Sequence, residues 1–190
     1  MLTPDFLRSK FEAGHDYDAY VATGSAPNQQ AWQDFHAGVT LTAAQSDVLG
    51  AFERRLHVVV SSGTWCGDCV QQVPMIDASV GATKGRVEAR YVDRDEHADL
   101  AEHRKLCGGL RVPVVLILNE DFDLLALEGD RTLSRYRAMA ARQLGPSCPL
   151  PGARVTAEEV EATLQDWVDA FERAHIMARL STKLRQRHGD

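Results

Sequence analysis

Residues 57–69 read HVVVSSGTWCGDC, an apolar run followed by two cysteines three positions apart. The β-branched run over 57–62 predicts a buried strand. A short turn follows, and the Cys66-Gly67-Asp68-Cys69 motif opens a predicted helix. The start of a helix presents unpaired backbone N–H groups and a partial positive charge, which stabilise a nearby thiolate. Because a thiolate is the species that attacks disulfides, the placement of the two cysteines indicates thiol–disulfide chemistry.

The composition indicates a chain of ordinary size that can bury a real core. It has 190 residues, of which 44% are hydrophobic and 25% are charged, and its formal net charge is −6. This balance gives no electrostatic reason to expect nucleic acid or a membrane surface as a partner. No apolar run approaches the roughly 20 residues that span a bilayer. The first residues also lack the pattern of a secretory signal, and with only four cysteines we expect a cytoplasmic protein.

Three segments are predicted along the chain, and we expect them to pack as one unit. Residues 1–55 form a helical N-terminal extension. Residues 56–144 alternate between strands and helices. Residues 145–190 comprise a Pro/Gly linker and a long amphipathic helix with an apolar stripe. We expect this stripe to pack on its own chain, and a homodimer through the C-terminal helix is the alternative.

The central segment predicts an α/β fold with a small mixed sheet. Strands are predicted over 57–62, 87–92, 114–118 and 124–127, and helices over 66–80, 97–106 and 133–144. The last two strands are joined by a tight acidic turn, which indicates an antiparallel hairpin. This order of elements predicts a central sheet of about four strands with helices on both faces.

Four features together resemble the thioredoxin family. Residues 65–69, WCGDC, match the family's active-site signature, and Pro74 lies where family members commonly place a proline. Val112-Pro113 precedes an apolar strand, as the family's cis-proline does, and Gly129 follows the hairpin. The resemblance covers about residues 56–144. It implies a thioredoxin-like fold, extended here by N-terminal helices and a long C-terminal helix.

The resemblance also implies roles for individual residues. Cys66, at the exposed helix start, would attack the substrate disulfide, and Cys69 would resolve the mixed disulfide. Their redox-active disulfide would be the only cofactor required. The backbone of Val112, before a cis Pro113, would pair with the substrate chain. The residues expected to surround the two cysteines are Trp65, Gly67 and Asp68, of which the tryptophan would offer apolar contact to a docking chain.

Two positions depart from the pattern of ordinary thioredoxins. Asp68 stands where the family usually has proline, and Val60 stands where it has a buried aspartate that is thought to help deprotonate the resolving thiol. A carboxylate beside the thiolate should raise the cysteine pKa by like-charge repulsion. A less stable thiolate means a less oxidising couple, so the sequence predicts a reductant rather than a disulfide-forming oxidase.

The function predicted from the sequence is therefore that of a thiol–disulfide oxidoreductase that reduces protein or small-molecule disulfides. Its partners would be disulfide-containing clients and a reductase or thiol donor. Two alternatives stay open: a non-catalytic interaction module and thiol-dependent peroxide reduction. No metal site is predicted, because zinc normally takes four ligands and the remaining cysteines and histidines lack the matching spacing. We expect Cys107 to be a small buried residue and Cys148 to be accessible.

Overall fold

The computed structural model describes residues 1–143 and 156–189, which are arranged around one four-stranded sheet. The helices before the sheet are α1 (Pro4–Ala13), α2 (Tyr17–Ala22), α3 (Ala26–Ala37) and α4 (Ala43–Gly50). The elements of the central part are β1 (Leu56–Ser62), α5 (Gly67–Ala82), β2 (Val87–Asp93), α6 (Ala98–Glu102), β3 (Val114–Leu118), β4 (Leu124–Glu128) and α7 (Leu133–Gln143). The last two helices are α8 (Ala157–Leu180) and α9 (Thr182–His188). Within the described ranges, no helix is long and apolar enough to cross a bilayer.

The sheet is mixed, with the strand order β2-β1-β3-β4. β1 pairs in parallel with β2 and antiparallel with β3, and Val59 lies opposite Arg90 on one side and Leu116 on the other. β3 and β4 form the antiparallel hairpin. The two central strands are almost wholly buried, which explains why their sequences are nearly continuous apolar runs. The predicted α/β fold with a mixed four-stranded sheet, N-terminal helices and a long C-terminal helix is confirmed.

Helices cover both faces of the sheet because alternate residues of a strand point to opposite sides. Val58 and Val60 face the larger core, which also contains residues of α3, α5 and α8. Val59 faces a smaller core, to which α1 contributes Leu7 and Phe11. The Cys-containing helix α5 therefore lies on the larger core, and its N-terminus lies at the end of β1.

The N-terminal extension is attached to the loop that precedes the cysteines. Trp32 of α3 is fully buried, and its Nε1 donates a 3.0 Å hydrogen bond to the carbonyl oxygen of Thr64. Between α1 and α2, His15 exchanges backbone hydrogen bonds of 2.9 Å with Tyr91 of β2. The extension is thus bonded both to the sheet and to the segment that carries the motif.

The long helix α8 packs within the chain. Trp167, Val168 and Phe171 are buried, and the helix contacts α4, α5, α7 and β4. Near its C-terminal end, the His175 imidazole accepts a 3.0 Å hydrogen bond from the backbone N–H of Glu53. The predicted segment boundaries and the homodimer through this helix stay predictions.

The segment before β3 differs from the sequence prediction. The helix predicted over 97–106 covers only Ala98–Glu102, because Leu106 and Gly109 close a tight turn through mutual backbone hydrogen bonds of 3.0 Å. Cys107 lies in this turn with a φ of 50°, and its side chain is exposed. The expectation that Cys107 is buried is wrong, because a surface turn carries it away from the core. Cys148 and the predicted linker lie outside the described residues.

Candidate active site

Cys66 lies at the junction of β1 and α5, where it is the N-cap residue of the helix. The backbone N–H groups of Asp68 and Cys69 point to its sulfur, as the unpaired donors of a helix N-terminus can. Cys66 is half-buried, whereas Cys69 has no exposed surface. Both cysteines are free thiols. A substrate can therefore reach Cys66 directly, and it can reach Cys69 only through Cys66.

The two thiols differ widely in acidity. The pKa of Cys66 is lowered to about 6, chiefly by a hydrogen bond from the Cys69 thiol and also by the helix N–H groups, against the opposing effect of burial. The pKa of Cys69 is raised, chiefly because burial penalises its charged form and also because its thiol is held by Cys66. At neutral pH, Cys66 is the thiolate and Cys69 the thiol. This division suits the predicted nucleophilic and resolving roles, which stay predictions.

The carboxylate of Asp68 is neutralised by two arginines of the segment after β4. Arg131 forms an ion pair with it, and Arg135 Nη2 donates to its Oδ1 at 3.1 Å. Asp68 still acts upward on the pKa of Cys66, as expected from its charge, but the hydrogen bonds that favour the thiolate outweigh it. The predicted direction of the Asp68 effect is confirmed, but the net pKa of Cys66 is lowered, so the argument that a destabilised thiolate makes the protein a reductant no longer holds.

Val112 and Pro113 lie beside the cysteines at the start of β3. The peptide bond between them is cis. The Cys66 Sγ lies 3.7 Å from the Val112 carbonyl oxygen, although the two residues are 46 positions apart in the chain. The Val112 side chain is buried, so that its backbone is the part of the residue presented to the sulfur.

Trp65 directly precedes Cys66 in the loop between β1 and α5. Its side chain is 52% exposed, and the Arg94 guanidinium lies 4.7 Å from the centroid of its ring. A Cβ at Gly63 would lie 2.7 Å from the indole of Trp65, so a larger residue at position 63 would displace that ring. By contrast, a Cβ at Gly67 would meet no atom within 4 Å, so packing does not require glycine there. Of the residues predicted to surround the cysteines, Trp65 and Asp68 therefore have specific contacts.

An open groove of about 280 Å³ runs past Cys66. Its apolar wall and charged rim are formed by Trp65, Leu110, Val112, Arg94, Arg111 and Arg131. The buried carboxylate of Asp130 holds two of these arginines, accepting from Arg111 at 3.1 Å and from Arg131 at 3.0 Å. The groove thus presents the Cys66 sulfur between an exposed aromatic ring and a fixed set of guanidinium groups.

The sequence analysis missed the contribution of Arg135. This residue is buried, and it joins Asp68 to Glu159 of α8, to which its Nη1 donates at 2.9 Å. No local pattern marks such a residue, because its bond to Asp68 links positions 67 apart in the chain. Also missed were the hydroxyl groups behind Cys69, which belong to Ser62 and Tyr20. In the ranges described, no cluster of three His, Cys, Asp or Glu side chains is arranged to hold a metal ion.

These features define a class of α/β proteins, in which two thiols at a helix N-terminus lie beside a cis-proline. A family model described as thioredoxin matches residues 14–137, and the chain belongs to the thioredoxin family.

Two solved structures have a similar fold. The crystal structure of a protein of unknown function from Pseudomonas aeruginosa has a TM-score of 0.69 and 24% sequence identity, and the match covers 92% of this chain and 99% of that one. An HIV epitope-scaffold has a TM-score of 0.63 and 22% identity, covering 90% of this chain and 97% of that one. No curated protein matches the chain. At these identities the likeness shows the fold alone.

Proposed function

We propose that the protein is a thiol–disulfide oxidoreductase that reduces protein or small-molecule disulfides. The observation that carries the proposal is the pairing of an accessible Cys66, whose pKa is lowered to about 6, with a buried Cys69, whose pKa is raised. A thiolate at an open groove is the species that attacks a disulfide. The protonated Cys69 thiol behind it can attack the mixed disulfide in the second step.

The exchange runs in two displacements. The Cys66 thiolate attacks one sulfur of the client disulfide, so that a Cys66–client bond forms, the client S–S bond breaks and the released client thiolate takes up a proton. Cys69 then loses its proton and attacks the Cys66 sulfur, which forms the Cys66–Cys69 disulfide and releases the second client thiol. Two electrons pass to the client, and a thiol donor or reductase returns two electrons to the protein.

The groove provides the docking surface for this exchange. The Val112 carbonyl oxygen, 3.7 Å from the Cys66 sulfur, is placed to accept a hydrogen bond from the backbone of a client chain. Trp65 offers an exposed aromatic face on the other side. A client held between them brings its disulfide to the thiolate.

The acidity of Cys66 sets an expectation for the redox potential. A stabilised thiolate favours the reduced form, which makes the couple more oxidising than one with an ordinary thiol. We therefore expect a potential less negative than the roughly −270 mV of thioredoxin but more negative than roughly −200 mV. Such a couple reduces clients in a compartment whose thiol pool keeps it reduced, such as the cytoplasm.

The test is reduction of insulin by dithiothreitol, followed as turbidity, with the wild type and with Cys66→Ser and Cys69→Ser. We expect catalysis by the wild type alone, with both variants at the uncatalysed rate. Cys107→Ser is the matched control, because this exposed thiol lies outside the groove, and it should retain full activity.

A parallel assay of peroxide consumption separates the alternatives. If the wild type consumes peroxide and fails to reduce insulin or a small disulfide, the protein is a thiol-dependent peroxide reductase and the proposal is wrong. If it does neither, the interaction module is the better description.

A further inference from the structure

Two buried hydroxyl groups behind Cys69 have no hydrogen-bond partner in the described part of the chain. They belong to Ser62, at the end of β1, and Tyr20, on helix α2 of the N-terminal extension. Their exposed fractions are 0% and 1%. Burying an unpaired hydroxyl is unfavourable, so a native structure that contains two of them at one place calls for an explanation.

The position of the two hydroxyls relates them to the resolving thiol. The Ser62 hydroxyl faces the Cys69 sulfur, and the Tyr20 hydroxyl faces Ser62. Neither hydroxyl has a hydrogen bond of full geometry, but Ser62 is near enough to lower the pKa of Cys69 against the larger effect of burial. Both are O–H donors, and a thiolate accepts hydrogen bonds more strongly than a thiol does.

The resolving step creates the need for such donors. Once Cys66 is bonded to the client, the Cys69 thiol loses the thiolate that accepted its hydrogen bond, and burial disfavours its ionisation. Position 60 is a fully buried valine, so no carboxylate at this position can help to deprotonate Cys69. We propose that Ser62 and Tyr20 are a positioning pair, in which Ser62 donates a hydrogen bond to the Cys69 thiolate during attack on the mixed disulfide and Tyr20 holds the serine hydroxyl in place.

In this step Cys69 gives its proton to the departing client thiolate as the Cys66–Cys69 bond forms, and the two hydroxyls keep their own protons. Aromatic contacts fix the position of the Tyr20 ring. Its centroid lies 5.8 Å from that of Trp32 and 6.0 Å from that of Tyr91. The N-terminal extension therefore contributes a group to the active site, in addition to its packing on the sheet. The inference rests on the proposed function.

The test uses Ser62→Ala and Tyr20→Phe, each of which removes one oxygen atom. Tyr17→Phe is the matched control, because its hydroxyl is also buried without a partner in the described residues but is influenced by Asp77 and Asp18 rather than by a cysteine. In single-turnover reduction of a disulfide peptide, quenched by acid and alkylation, we expect Ser62→Ala to slow resolution of the mixed disulfide about tenfold. Tyr20→Phe should slow it several-fold, and the rate of Cys66 attack should be unchanged in all three variants.

A second measurement does not depend on turnover. Thiolate absorbance at 240 nm, recorded in a protein that carries Cys66→Ser, Cys107→Ser and Cys148→Ser, reports the titration of Cys69 once the absorbance of the same protein with Cys69→Ser is subtracted. Ser62→Ala and Tyr20→Phe should move this titration to higher pH, and Tyr17→Phe should not. If the titration stays in place in both variants, or if attack and resolution slow together, the proposal is wrong and the hydroxyls only fill space. If the titration moves while no disulfide is exchanged, the positioning pair stands and the proposed function fails.

Discussion

At the residue scale, the central feature is the difference in acidity between two thiols on one helical turn. The thiolate of Cys66 is stabilised chiefly by a hydrogen bond from the Cys69 thiol and also by the free N–H groups of the helix start, and Cys69 is enclosed by the core. Neither effect needs a charged neighbour, because backbone donors and burial act through the fold itself. The acidity of Cys66 is therefore set first by the neighbouring thiol and the helix terminus and second by the surrounding charges.

The acidity of Cys66 predicts a pH profile for its alkylation. In reduced protein carrying Cys107→Ser and Cys148→Ser, the rate of reaction with iodoacetamide should rise with a midpoint near pH 6 and be flat above about pH 7.5, because only the thiolate reacts. Cys69 should stay unmodified, since it is buried. Oxidised protein, which has no free thiol in the motif, is the control. A midpoint at the ordinary value near 8.5 would show that the helix start does not stabilise the thiolate.

The charge network around Asp68 predicts opposite shifts for two substitutions. Asp68→Asn removes the negative charge and releases Arg131 and Arg135, so the pKa of Cys66 should fall by about half a unit to one unit. Arg131→Met leaves the carboxylate partly unpaired, so the same pKa should rise. Asp121→Asn, in the turn at the far end of β3, is the control and should leave it unchanged. Equal shifts in all three proteins would rule out a local electrostatic effect, and the alkylation profile provides the measurement.

At the scale of elements, the sequence predicts best what a local pattern encodes. The strand 114–118 and the hairpin follow from a continuous apolar run and a tight acidic turn, and the structure has β3 at the same residues. The helix predicted over 97–106 is too long, because a turn closed by Leu106 and Gly109 depends on backbone hydrogen bonds that no periodicity reveals. The bond between Trp32 and Thr64 could not be predicted either, since it joins segments separated by a strand.

That bond predicts a stability cost when the donor is removed. Trp32→Phe keeps an aromatic ring. It removes the buried hydrogen-bond donor of the Thr64 carbonyl and creates a small void beside that carbonyl. The free energy of unfolding should fall by about 2–3 kcal/mol, measured by urea denaturation of the oxidised protein. Trp65→Phe is the control, and because Trp65 is half exposed its effect should stay within about 0.5 kcal/mol. Equal midpoints for wild type and Trp32→Phe would show that the extension is not anchored through this indole.

At the scale of the whole molecule, the added helices and the thioredoxin-like sheet share one larger core. Tyr20 and Trp32 from the extension lie in the same cluster as Cys69 and as Phe171 of α8. The ionisation of a single cysteine must therefore affect the stability of the entire chain, because folding is what places that cysteine at the helix start.

The sign of this effect follows from the lowered pKa. In the unfolded chain Cys66 has the ordinary pKa of a cysteine, about 8.5, and in the folded chain its pKa is about 6. Between these values the unfolded state binds a proton that the folded state does not, so the free energy of unfolding rises with pH. The contribution is complete above pH 9 and is lost as the pH falls through 6. Its slope is at most about 1.4 kcal/mol per pH unit and is reduced by the exposure of the thiol.

The measurement is the urea midpoint of reduced wild type and reduced Cys66→Ser between pH 5.5 and 8.5. The difference between them should grow steadily with pH, because histidines such as His57 and His175, whose pKa values are lowered by burial, titrate in both proteins and cancel. Cys69, whose pKa is raised, is present in both proteins, so that its ionisation in the unfolded chain near the upper end of the window also cancels. Oxidised wild type, which has no thiolate at position 66, should show no such growth relative to Cys66→Ser. A difference that is constant with pH would mean that folding leaves the acidity of Cys66 unaltered, and the proposed reactivity would lose its basis.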